Sequence, residues 1–145
     1  MEIDEECIRL IALRQPKAID LRFITTAMKV TSKLERMGDL AVNIAERAAE
    51  LNEEPELKPY IDILKMSDIA QSMTRDVLDA FVRRDAQWAA DVIARDDEID
   101  DLKVEIITEL SLLTAQAPSR VIMAMKISFV AQYLNPTTIH NELYG

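Results

Sequence analysis

TAMKVTSKLERMGDLAVNIAERAAEL, residues 26–51, places apolar side chains at Ala27, Val30, Leu34, Met37, Ala41, Ile44, Ala48 and Leu51. The intervals alternate three and four without a break, so all eight fall on one stripe of a helix with 3.6 residues per turn. A stripe of that kind is buried by neighbours running lengthwise beside it, as in a helical bundle. The seam extends upstream without punctuation to Ala18, and a helix from Ala18 to Leu51 is expected.

Working outward, the prolines at 16, 55, 59, 118 and 136 mark where helices stop, because proline removes a helical hydrogen bond and clashes with the preceding turn. A short helix over Ile3–Arg14 precedes Pro16, with Ile3, Cys7, Leu10 and Ile11 on one side. Asn52–Pro59 reads as a loop. From Tyr60 to Ala117 there is neither proline nor glycine, but one straight helix of that length would reach about 87 Å, too long for a small domain. Arg83-Arg84-Asp85 is the expected break, since basic residues suit a helix C-terminus and aspartate caps the next N-terminus. That gives a third helix over Ile61–Arg83, a fourth over Ala86–Gln116 and, after Pro118, a fifth over Arg120–Leu134. Asn135-Pro136 then disfavours continuation and leaves residues 135–145 as a tail.

The chain has 145 residues, is 49% hydrophobic and 30% charged, and contains only two glycines, Gly38 and Gly145. So few glycines argue against an all-β fold with many tight turns. The expected fold class is all-α, an antiparallel bundle of about five helices. With 17 basic residues against 26 acidic ones the net charge is −9, which opposes nucleic-acid binding. Val121–Leu134 is the longest apolar run and, at 14 residues including Lys126, is short for a membrane span, so no membrane insertion is expected. The acidic opening MEIDEECIRL differs from a secretory leader, and Cys7 is a lone cysteine; both point to the cytoplasm.

Glu35 and Asp39 are one helical turn apart, and Asn43 and Glu46 continue the same polar stripe on the side away from the apolar seam. A solvated face accounts for such a stripe without further function. Gly38, between the two carboxylates, sharpens the question. Glycine inside a helix costs about 1 kcal/mol relative to alanine. Its retention fits the close approach of a partner helix, a metal ion or bridging waters.

Two segments at a fixed separation resemble the PhoU family, cytoplasmic regulators of phosphate uptake: QPKAIDLRFI at residues 15–24 and LERMGDLAVNIAER at residues 34–47. ARDDEIDDL at residues 94–102 is similar to the start of the family's second repeat. The resemblance covers about residues 2–134. It implies parts of two tandem three-helix units, residues 2–52 and 60–134, followed by a divergent tail. It also implies a homodimer or higher oligomer, and candidate metal ligands at Glu35, Asp39, Asn43 and Glu46 on one helix and Asp97 and Asp101 on another. Iron or zinc is the implied metal; all-oxygen ligands favour a hard cation over a tight zinc site. The implied partners are the ATPase subunit of the Pst phosphate transporter and a phosphate sensor kinase.

The chain departs from the family at both ends. Helices expected before Met1 are absent, and the second acidic run expected after Tyr133-Leu134 is replaced by NPTTIHNE. Asp101 and Asn135 each lie 17 residues from Pro118, so in a hairpin Asn135 takes the place of the missing glutamate. Each acidic motif has thus lost its partner within the chain. The surviving motifs either bind metal poorly or meet through rearrangement, with the helix bearing Glu35 packing beside the one bearing Asp101 within one chain or across a dimer.

An enzyme is not expected. The only histidine, His140, has Thr137 where a ferritin-like pair needs glutamate, and no phosphate-binding glycine loop is present. Cys7 and the methionines read as packing residues. The expected function is non-enzymatic regulation of phosphate transport and phosphate-starvation signalling through protein contacts. A generic helical interaction module is the alternative, and a metal-dependent enzyme with an open carboxylate site is a third reading.

Overall fold

The computed structural model describes residues 2–53, 57 and 59–134. Within them the elements are α1 (Glu2–Arg14), α2 (Ala18–Asn52), α3 (Ile61–Arg83), α4 (Ala86–Ile93), α5 (Asp96–Gln116) and α6 (Val121–Leu134), with a 3-10 turn at Pro118–Arg120 and no strand. The all-α bundle is as expected; the tail from residue 135 and His140 lie outside the described residues.

The α3–α4 junction forms at the expected residues. Arg84 takes a left-handed conformation, φ 56° and ψ 37°. Its N–H donates to the Phe81 carbonyl at 3.1 Å and the Asp85 N–H donates to the Ala80 carbonyl at 2.9 Å, the paired bonds of a Schellman motif. Asp85 then caps α4 by accepting from the Trp88 N–H at 2.9 Å. The left-handed position is usually glycine; a side chain there costs roughly 1–2 kcal/mol.

The single fourth helix expected over Ala86–Gln116 is instead two, α4 and α5, separated at Ala94–Arg95. The chain tightens there: the Arg95 N–H reaches Val92 and the Glu98 N–H reaches Arg95. Arg95 anchors the kink to α3 by donating to Asp76 Oδ2 at 2.8 Å and to Ser72 Oγ at 3.2 Å. Asp96, Asp97 and Glu98 then occupy the first turn of α5, where negative charge complements the helix dipole.

The core is built mainly by the second half of the chain. Met66, Ile99, Ile106 and Ile127 are the largest fully buried side chains, with Met73, Val92, Leu102, Leu110, Ala124 and Ala131 around them. Leu51, at the end of α2, and Leu57, just beyond it, close the cluster. α3 packs on α4, α5 and α6, and α5 packs on α6, whereas α2 packs on α1 and along α6.

The seam of α2 is covered only in part, which corrects the expectation of lengthwise burial. Leu51 is buried and Ala27, Val30, Met37 and Ile44 are half-buried, but Leu34, Ala41 and Ala48 are exposed. α6 ends at Leu134, against the middle of α2, and beyond it the described residues leave a valley between α2 and α3.

Candidate functional site

Two neighbouring features of α2 define the candidate surface. The first is the acidic ridge. Glu35, Asp39 and Glu46 are exposed and Asn43 is half-buried, so the polar stripe points away from the packed interior. Asp97 and Asp101 are likewise exposed on α5. α2 and α5 do not pack along one another within the chain; α6 contacts both. Among the described residues, no three Asp, Glu, His or Cys side chains converge in a way that could hold a metal ion. A cation on this ridge would therefore need ligands from outside those residues.

Gly38 sits in this ridge with nothing within 4 Å of the position a Cβ would occupy. Among the described residues, no helix makes the close approach that glycine would permit. Gly38→Ala is therefore expected to raise the unfolding free energy by about 0.5–1 kcal/mol, measured by urea denaturation. A loss of stability would show that the position is crowded after all.

The second feature is the valley between α2 and α3. Its lower part is a groove of about 480 Å³, where Met37, Leu40, Ala41 and Ile44 face Ala70, Thr74 and Leu78, with Tyr133 and Leu134 at its foot. At its upper end Phe23 of α2 stacks on Phe81 of α3, ring centroids 4.8 Å apart and planes 4° from parallel. This end holds an open cavity of about 350 Å³ bordered by Arg22 and Arg84. That grouping is not legible in the chain, because the two arginines come from segments 62 residues apart; the one local clue is an arginine pair at a helix stop that glycine usually fills.

Below the valley α2 is tied to α6 by Lys126, whose ammonium lies 3.1 Å from Glu50, while Arg47 pairs with the same carboxylate at 2.8 Å. The hydrogen bond from Lys126, then the charge of Arg47, holds the Glu50 carboxyl below its usual range. A depressed acid stabilises the fold at neutral pH and loses that contribution as the pH falls through its folded-state value.

A sequence profile of the PhoU domain matches residues 1–48 and 63–137. The chain belongs to the PhoU family. A phosphate-specific transport system accessory protein PhoU homolog from Aquifex aeolicus is 46% identical over 133 residues, 92% of this chain and 60% of that protein. The homolog from Deinococcus radiodurans is 34% identical over 141 residues, covering 97% of this chain and 66% of its own length. The chain thus spans less than two thirds of either PhoU relative. The crystal structure of PhoU from Pseudomonas aeruginosa superposes with a TM-score of 0.88 at 34% identity, covering 98% of this chain and 69% of that one. The helical PhoU architecture is therefore shared. Among the described residues, no helix is long and apolar enough to cross a membrane.

Proposed function

We propose that this chain is a non-enzymatic regulator of phosphate transport and phosphate-starvation signalling, acting in the cytoplasm through the exposed face of α2. The observation that carries this reading is the name shared by relatives 34–46% identical over more than nine-tenths of the chain, phosphate-specific transport system accessory protein. The open acidic ridge and the valley beside it give such a protein a surface on which to act. The partners are the ATPase subunit of the phosphate transporter and a sensor kinase. Capture of the purified chain by the immobilised ATPase subunit tests the reading; no capture under conditions that retain a full-length family member would refute it.

The chain acts as a homodimer or higher oligomer. The partly uncovered seam of α2, where Leu34 and Ala41 are exposed, supplies apolar surface for a second copy to cover. Metal binding, by iron, zinc or another divalent cation, falls to Glu35, Asp39, Asn43 and Glu46 on α2 and to Asp97 and Asp101 on α5, with the remaining ligands coming from outside the described residues. Elemental analysis coupled to light scattering is expected to find metal in the oligomer and to lose it in Glu35→Ala/Asp39→Ala. Equal metal content in wild type and variant would remove these residues as ligands.

The two stretches 2–52 and 60–134 are read as parts of two repeats. If the ATPase subunit fails to bind while the chain still oligomerises, a general helical interaction module becomes the better description.

A further inference from the structure

The upper end of the valley contains an arrangement that the acidic ridge does not use. Arg84 occupies the left-handed position of a Schellman motif, where glycine would fit without strain. Its guanidinium lies 4.6 Å from the centroid of Phe23, whose ring is in turn stacked on Phe81. Cation–π attraction holds a guanidinium over an aromatic ring and leaves its N–H groups able to donate. Arg22, adjacent to Phe23 on α2, borders the same cavity of about 350 Å³. Asp85 is the one carboxylate on the lining, and its Oδ1 already accepts from the Trp88 N–H. Neither Arg22 nor Arg84 has a carboxylate partner among the described residues. Ile19, Phe81, Ala86 and Ala89 supply apolar lining to a cavity that opens to solvent.

In a chain of net charge −9 this is a preorganised site of the opposite sign. We infer that Arg22 and Arg84 bind the phosphoryl group of a small ligand, free phosphate or a nucleotide. Two arginine forks match the oxygens of a phosphoryl group, and a partly apolar cavity of this size is typical of small-molecule sites. The choice of phosphoryl over carboxylate rests on the proposed phosphate role; the existence of an anion site does not.

Equilibrium dialysis of the 145-residue chain against orthophosphate, metal-free ATP and citrate tests this. Saturable binding of orthophosphate or ATP is expected, weakened about tenfold or more in both Arg84→Gly and Arg22→Met. Whichever of the two phosphates binds more tightly identifies the source. Because glycine relieves the left-handed strain, Arg84→Gly should melt no lower than wild type while losing the ligand. The inference is overturned if neither phosphate binds, if citrate binds as tightly as both, or if both variants retain wild-type affinity. Dialysis uses no transporter component, so its failure is separable from failure of the regulatory reading.

Discussion

Ile106→Ala is expected to lower the unfolding free energy by about 2–5 kcal/mol, the range for removing most of a large aliphatic side chain from a packed interior. Ile106 is fully buried on α5, between α3 and α6, and belongs to the same cluster as Met66, Ile99 and Ile127. Removing it deletes apolar burial and leaves a cavity that rigid helices on both sides cannot fill. Urea denaturation checks the value. A cost below about 1 kcal/mol would mean that this region collapses around the gap and is not the stable centre of the fold.

Leu51→Ala should cost about 2 kcal/mol, at the low end because the residue lies at the rim of the cluster. Its more telling effect is regional. Leu51 is the buried apolar anchor between α2 and the core, and elsewhere α2 is held by half-buried residues and the Lys126–Glu50 ion pair. Amide exchange in α1 and α2 should therefore accelerate in the variant while α5 and α6 change little. Uniform acceleration across all helices would show that α2 is as deeply integrated as α5.

The helices of this protein are legible where periodicity and punctuation agree. The three-four spacing of residues 27–51 locates α2, Pro16 and Pro118 bound their neighbours, and the basic pair followed by Asp85 marks the α3–α4 junction. The kink at Ala94–Arg95 was not legible, because neither proline nor glycine marks it. It is fixed by Arg95 reaching Asp76 and Ser72 on α3, contacts that exist only in the folded chain. The acidic run at residues 96–98 was the available clue.

The candidate surface divides in the same way. That Glu35, Asp39 and Glu46 share an exposed face follows from their spacing, and the structure places them there. The opposite face is less buried than its periodicity predicts: periodicity reports which residues a helix would bury, whereas exposed Ala41 and Ala48 depend on how far a neighbour extends. Gly38 permits close approach, but among the described residues nothing lies within 4 Å of the position its Cβ would take. The Arg22–Phe23–Arg84 grouping required the tertiary fold.

The most direct measurement is the affinity of the transporter's ATPase subunit for this chain and for Glu35→Lys/Asp39→Lys, with melting temperatures taken alongside. Both side chains are exposed, so reversing their charge should leave the fold within about 2 °C of wild type. If the ridge on α2 meets a basic patch on its partner, the variant should bind about tenfold more weakly or worse. Equal affinity in a folded variant would contradict the assignment of this face as the regulatory docking surface.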